Sequence, residues 1–304
     1  MAVASRSFSN HAVLRAELLA AFPRSIFNEA GVSLVGSDLI SFLGQADYAV
    51  VGLERVDAQL LDQLPRLRGV AKFGVGIDTI DLAALSERSI KFEVTPGTNA
   101  IAVAELAILL ILASRRRLMD SIRVVAAGEW RQTKGHELSG STVGVVGFGH
   151  VGRQLSAMLA GFECRILGFD AFPGEPVRGV SFVPLDQLLS EADIVSIHLP
   201  LTDSTRSFIG ENELSRMRPG AILINTSRGG IVDEEALITA LSDGTIGGAA
   251  LDVLATEPHV NDSLFQVPNL LLTPHIGGST EESIVRMGRA AIACLSRLAG
   301  RIPE

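Results

Sequence analysis

Arg228, Glu257 and His275 each follow a short apolar run in the second half of the chain: Ala221–Asn225, Gly248–Val253 and Leu270–Thr273. Runs of that length and content read as strands. On one open α/β sheet the three residues would gather at its carboxyl edge, where such sheets bind ligands. An imidazole titrates near neutrality and suits proton transfer. A guanidinium grips a carboxylate at two points and polarises the carbonyl beside it. A carboxylate against the imidazole fixes its tautomer and supports its protonated form. Singly, a loop histidine is more often a hydrogen-bonded surface residue, and Arg228 or Glu257 an ordinary ion-pair partner. Three of them on strand ends of one sheet favour a reaction centre.

Gly147, Gly149 and Gly152 form a GxGxxG run directly between the strand-like Thr142–Val146 and a helix over His150–Leu159. Alone, such a run is often only a flexible turn. Here Gly147 makes the tight turn, Gly149 lets backbone approach a pyrophosphate, and Gly152 lets the helix pack close to the sheet. Asp170 ends the next strand, Arg165–Phe169, where a carboxylate bonds the ribose hydroxyls of a dinucleotide. That carboxylate would repel a 2′-phosphate. Ala171 and Phe172 offer no cation beside it, and Arg178 is the nearest downstream, so NAD is favoured over NADP. With the three polar residues, the set suits hydride transfer between a nicotinamide and a 2-hydroxy or 2-oxo acid.

Positioning these groups requires two rounds of α/β alternation. In the first hundred residues Ala2–Ser7, Tyr48–Leu53, Gly69–Phe73 and Ile90–Val94 read as strands. Ala12–Ala21, Asp57–Leu64 and Leu82–Arg88 read as helices, which together imply a parallel sheet. After Thr95-Pro96-Gly97-Thr98, Asn99 reads as the N-cap of a long helix that runs to about Ala127 and stops at Gly128. The second alternation adds a strand at Ile194–His198 to those already named. An amphipathic helix over Thr280–Leu298 returns to the first domain. The expected division is 1–98 with 277–304, and 99–276.

The 304-residue length accommodates two domains. A net charge of −8 gives no electrostatic footprint for nucleic acid or an anionic membrane, though a small pocket could still hold an anion. Cys164 and Cys294 are the only cysteines, with neither metal-ligand spacing nor a disulfide framework, so no metal is expected. Met1–Phe8 lacks a secretion signal, which makes the cytoplasm the default. The apolar run Ala100–Ala113 is shorter than the ~20 residues of a bilayer span and contains Glu105; it reads as a buried helix.

Ordered motifs make the sequence recognisable. They are Lys72-Phe-Gly-Val-Gly-Ile-Asp78, Thr95-Pro-Gly-Thr-Asn-Ala100, Val103-Ala-Glu-Leu106, Gly147–Gly152, Asn225-Thr-Ser-Arg-Gly-Gly230, Asp252 through Glu257-Pro258, and Thr273-Pro-His-Ile-Gly-Gly278. From about Leu64 onward the chain resembles the D-isomer-specific 2-hydroxyacid dehydrogenases, phosphoglycerate dehydrogenase-like in kind. The resemblance implies a Rossmann-type doubly wound nucleotide-binding domain beside a smaller flavodoxin-like α/β substrate domain. It implies Arg228 on substrate, His275 as acid/base and Glu257 as its partner. Gly74, Val75 and Gly76 would hold the substrate carboxylate as an anion nest, with Asn99 at the hinge. NAD would meet Gly147, Phe148, Gly149, His150, Val151, Gly152, Asp170, His198, Pro200, Thr226, Asp252 and Gly277. A homodimer through the long helix is implied too. The leading reading is a D-2-hydroxyacid dehydrogenase with 3-phosphoglycerate as a candidate substrate, and the alternatives are glyoxylate or hydroxypyruvate reduction and phosphite oxidation. Formate is disfavoured by the carboxylate at Glu257, and an NADH-sensing corepressor is the non-enzyme alternative. Arg6, read at the end of the first strand, is a candidate for a substrate phosphate or second acid group.

Overall fold

A computed structural model describes residues 1–257, 262–267 and 269–301. The chain divides into two units, 1–99 with 278–304 and 100–277, so it crosses between them twice.

The first unit holds five parallel strands: β1 (Ala2–Val3), β2 (Ile26–Phe27), β3 (Tyr48–Val51), β4 (Gly69–Lys72) and β5 (Lys91–Glu93). Their order, β2-β1-β3-β4-β5, is the flavodoxin-like arrangement. Successive strand residues face opposite sides. Ala49, Val51 and Val70 therefore enter one core with Leu39, Leu43, Leu61 and Leu85. Val3, Val50 and Ala71 enter another with Leu14, Leu18, Cys294 and Leu295. The returning helix Glu281–Leu298, capped by Thr280 onto the Ser283 amide, packs across β3, β4 and β5 and closes that second core.

The second unit holds seven parallel strands: β6 (Thr142–Val146), β7 (Arg165–Phe169), β8 (Val180–Phe182), β9 (Ile194–Ile197), β10 (Ile222–Asn225), β11 (Gly248–Leu251) and β12 (Leu270–Leu272). Their order, β12-β11-β10-β9-β6-β7-β8, reverses direction between β6 and β9, which creates the crevice of a doubly wound sheet. Val143, Val145, Ile194 and Ile224 pack on one face against the helices Ala100–Arg115 and His150–Leu159. Val146, Val195, Ile197 and Leu223 pack on the other.

Three local expectations are corrected. The first strand stops at Val3, and Arg6 opens a short helix, Arg6–Ser9, so Arg6 is exposed on a helical turn and not at a strand end. The long helix is two helices, Ala100–Arg115 and Leu118–Ala126, broken where Arg117 takes φ 50°. The segment after the second helix returns to the break, and the His136 amide takes the Arg115 carbonyl at 2.8 Å. That bond satisfies a carbonyl the helix cannot, which rewards stopping there. Asn99 makes no cap bond: its Oδ1 is buried without a partner. The sequence reading also passed over β2, β8 and the helix Gly36–Leu43. No described helix is long and apolar enough to cross a membrane.

Candidate functional site

The glycine run sits at the carboxyl end of β6, on the crevice. Gly147 has φ 98°, and a Cβ there would lie 2.8 Å from the His198 carbonyl carbon and oxygen. A Cβ on Gly152 would lie 2.0 Å from the Gly147 carbonyl oxygen, so only glycine lets the helix start so close to the turn. Space beside Gly149 is open. Gly149 and His150 are exposed, and Val151 is half-buried, at a helix start whose first amides lack intrahelical acceptors. This cradle fits a pyrophosphate. Phe148 contributes only backbone to it, because its ring is buried edge-on against Phe182 at 4.7 Å.

Asp170 follows β7 and organises the same loop. Its Oδ2 accepts the Phe148 amide at 2.6 Å, and its Oδ1 accepts the Phe172 amide at 2.8 Å. Across the crevice His198 bonds Ser196 Oγ through Nε2 at 2.8 Å, while its Nδ1 is buried without a partner. Burial pushes its pKa down to about 3, so the ring is neutral. Thr226, after β10, likewise buries an Oγ1 that has no partner. Native interiors rarely leave such atoms unpaired, and two at one crevice suit a polar ligand. Pro200 is exposed, and its carbonyl accepts Thr205 Oγ1 at 2.6 Å.

Asp252, at the end of β11, is buried and ties down the last loop. Its Oδ1 accepts Thr273 Oγ1 at 2.6 Å and the Ile276 amide at 2.8 Å, and its Oδ2 accepts the Gly277 amide at 2.8 Å. Burial raises its pKa, opposed by those bonds. The same residue's carbonyl accepts the His275 amide at 2.9 Å. Held this way, His275 adopts φ 55°, a left-handed conformation uncommon outside glycine.

That conformation brings His275 Nδ1 to 2.6 Å from Glu257 Oε2, while Glu257 Oε1 accepts the Leu254 amide at 2.8 Å. The hydrogen bond to Glu257 raises the His275 pKa, against burial and the nearby Arg228 charge. Burial would raise the Glu257 pKa, but His275, the Leu254 amide and the Arg228 charge outweigh it, and the pKa is lowered. The imidazole Nε2 has no hydrogen-bond partner among the described residues. Arg228 is positioned by Asn225, which receives the Ser227 amide at 3.0 Å on Oδ1 and donates from Nδ2 to the Arg228 carbonyl at 2.9 Å. Arg228 Nη1 also bonds the Ser227 carbonyl at 2.7 Å. All three chemical residues thus lie beyond carboxyl ends of one sheet. Pro258, part of the Glu257 motif, lies outside the described residues.

In the first unit, Gly74, Val75 and Gly76 form a half-buried bend after β4, with Gly74 at φ 110°. Their three amides donate to no acceptor among the described residues. Two organisers escaped the sequence reading. Asn225 was quoted only as part of a motif, and Arg153, one residue past Gly152, reaches the loop after Asp170 only through the fold.

The profile described as "D-isomer specific 2-hydroxyacid dehydrogenase, NAD binding domain" matches residues 108–277. A glyoxylate reductase of Thermococcus litoralis is 40% identical over 265 residues, 82% of this chain and 80% of that protein. A hydroxypyruvate reductase of Thermotoga maritima is 37% identical over 257 residues, 83% of this chain and 84% of that protein. Among solved structures, the D-lactate dehydrogenase of Aquifex aeolicus complexed with NAD and lactic acid superposes with a TM-score of 0.83 at 26% identity, covering 99% of this chain and 95% of that one.

Proposed function

The chain belongs to the D-isomer specific 2-hydroxyacid dehydrogenases, NAD-dependent oxidoreductases acting on a hydroxyl group, and from that premise we propose that it interconverts small 2-oxo acids, of the glyoxylate and hydroxypyruvate kind, with their D-2-hydroxy acids. The observation that carries the proposal is the 2.6 Å contact between His275 and Glu257, with the imidazole pKa raised and Nε2 left without a partner. Bound NADH supplies the hydride, and this chain's residues manage the proton and the charge. His275 Nε2 donates a proton to the carbonyl oxygen of the 2-oxo acid and takes it back from the hydroxyl in the reverse direction. Glu257 steadies the imidazolium at Nδ1. Arg228 draws the substrate's carboxylate and polarises the reacting carbonyl. The amides of Gly74, Val75 and Gly76, within the first unit, meet no described acceptor and suit an anion such as a carboxylate. Asn99 marks the end of the first unit. In this reading Asp252 flanks the nicotinamide side and His198 and Pro200 the adenine side, Thr226 and Gly277 also meet the cofactor, and Gly147–Gly152 with Asp170 take the pyrophosphate and ribose.

Steady-state rates with NADH on glyoxylate and hydroxypyruvate, and with NAD on glycerate, D-lactate, 3-phosphoglycerate and phosphite, test this reading. Turnover is expected on the first pair. NADH binding without turnover on any of them would favour a sensor over an enzyme.

A homodimer is part of the same reading. The helix Leu118–Ala126 buries none of its residues, yet Leu118, Met119, Ile122 and Val125 form an exposed apolar stripe on it. Trp130 just beyond is 93% exposed. Such a patch on a monomer marks an interaction surface, and Ile122→Glu is expected to turn a dimer into a monomer by light scattering. The compartment we propose is the cytoplasm, where the free thiols Cys164 and Cys294 remain reduced.

A further inference from the structure

The connection from β10 to the helix Glu234–Ser242 carries Arg228 near its start and a second carboxylate at its end. Asp233 caps that helix: its Oδ1 accepts the Glu235 and Ala236 amides, both at 3.1 Å. Glu234, the first helical residue, is thereby relieved of capping. It turns instead to the loop after β11, where its Oε1 accepts the Ala255 amide at 2.6 Å. The preceding amide, that of Leu254, goes to Glu257 Oε1 at 2.8 Å. Two consecutive amides are thus held by two carboxylates, one from within the loop and one from outside it. The same connection touches the loop a second time. A Cβ on Gly229 would lie 1.9 Å from the Leu254 carbonyl oxygen and 2.5 Å from the Ala255 nitrogen, so the backbone beside Arg228 rests directly on the backbone that leads to Glu257. Ala255 is exposed, so water could replace Glu234 as its acceptor at little cost to the fold. What Glu234 supplies is placement.

We propose that Glu234 is a positioning residue for the reaction: by fixing the Ala255 amide it sets the loop so that the Glu257 carboxylate meets the His275 imidazole. This role rests on the reading of His275 and Glu257 as the proton relay. Their contact, 2.6 Å from Nδ1 to Oε2, is short and charge-assisted, and it weakens steeply as the two groups drift apart. The Leu254–Glu257 bond is internal to the loop and moves with it, so it cannot anchor the carboxylate to the sheet. The bond from Glu234 can, because the helix behind it buries Leu237 and Leu241 in the core of the second unit. A group held by its own loop alone loses the fixed geometry that an acid/base pair needs.

The His275 imidazole pKa, titrated by NMR on the full chain and assigned by its absence in His275→Gln, tests this without relying on turnover. Glu234→Met removes the acceptor, Glu234→Asp keeps the charge but shortens the reach, and Glu234→Gln keeps an acceptor oxygen at full reach. Glu257→Gln is the reference. Glu234→Met and Glu234→Asp are expected to lower the His275 pKa by about half a unit or more, towards its value in Glu257→Gln. Glu234→Gln should stay near wild type. In NADH-dependent glyoxylate reduction the first two should lower kcat by about three- to tenfold, with KM and the NADH Kd within about twofold of wild type. Aspartate is well suited to the first turn of a helix, so Glu234→Asp keeps the test open should Glu234→Met fold poorly. A His275 pKa that falls in Glu257→Gln but holds in both Glu234→Met and Glu234→Asp overturns the proposal and leaves the relay standing. A Glu234→Gln variant as impaired as Glu234→Met also overturns it, because charge and not the acceptor would then matter. If Glu257→Gln itself leaves the pKa unmoved, the relay fails and the role of Glu234 falls with it.

Discussion

The two parallel sheets each have a switch point, yet they treat the polar groups gathered there in opposite ways. In the seven-stranded sheet, the crevice between β6 and β9 is lined by an unpartnered His198 Nδ1, by the open flank of Gly149 and, one strand on, by an unpartnered Thr226 Oγ1. In the five-stranded sheet, where β1 meets β3, the equivalent place is filled by its own side chains. Glu54 is buried and accepts the Gly52 amide at 2.5 Å. Lys72 is buried too, and its ammonium donates to the Gly52 carbonyl and to Thr79 Oγ1. A Cβ on Gly52 would lie 2.9 Å from Ser5 Oγ, so no space is left there. The same topological rule yields a binding crevice where polar atoms are left waiting and a structural clamp where they satisfy one another. In the first unit the amides without a described acceptor lie instead in the loop after β4, at Gly74–Gly76.

The largest expected effect lies in the second unit. His275→Ala should lower kcat by about 10²–10⁴-fold, the usual worth of a positioned acid/base, with the NADH Kd and the melting temperature near wild type. Full activity in that variant would remove the residue from the reaction. The complementary change in the first unit is Lys72→Met. It strips the buried Gly52 carbonyl and Thr79 of their donor, at a cost of about 1–3 kcal/mol in urea unfolding. NADH affinity should hold. Loss of NADH affinity with unchanged stability would erase the contrast drawn between the two sheets.

Glu257→Gln sharpens the contrast in electrostatic terms. Reduction needs His275 protonated on entry, so its rate falls as pH rises through the imidazole pKa, which Glu257 raises. Removing the carboxylate lowers that pKa, and the alkaline limb of the pH–rate profile should move to lower pH by about one unit. Oxidation needs the neutral ring, so its acidic limb should move the same way. The stability sign follows from both shifts. The raised His275 pKa contributes stability that is complete below pH ~6.5 and fades as pH rises through the folded value. The lowered Glu257 pKa contributes above pH ~4.3 and fades as pH falls through its own. The pair therefore supports the fold most between those limits, and a profile indifferent to Glu257→Gln would disconnect it from His275.

Much of this was legible in the sequence because it rests on local chemistry. The helix Ala12–Ala21 and the strands Thr142–Val146 and Arg165–Phe169 match their apolar patterns residue for residue. Gly147 and Gly152 were readable because their roles are backbone geometry, set by their neighbours in the chain. What stayed hidden was decided at a distance. The break at Arg117 depends on His136 arriving from a later segment. β8 is only Val180–Phe182, too short for its alternation to stand out. The Lys72 clamp joins the ends of β3 and β4 to Thr79 in the loop beyond, and Arg153 meets Pro173 and Glu175 only once the helix lies on the sheet.

Thr226→Val is the smallest effect and the most direct test of what an unpartnered atom means. A buried hydroxyl without a partner carries a desolvation cost in the protein alone, so replacing it with an isosteric methyl should leave unfolding stability unchanged or raise it by about 0.5–1 kcal/mol. Were the hydroxyl waiting for a ligand, the same change should weaken NADH binding by about three- to tenfold, because a polar group of the dinucleotide then meets a methyl. Stability gained and affinity lost by one substitution would identify a binding group. Lower stability with unchanged NADH affinity would instead make Thr226 a structural residue like Lys72, and the crevice of the second unit would be more self-satisfied than its geometry indicates.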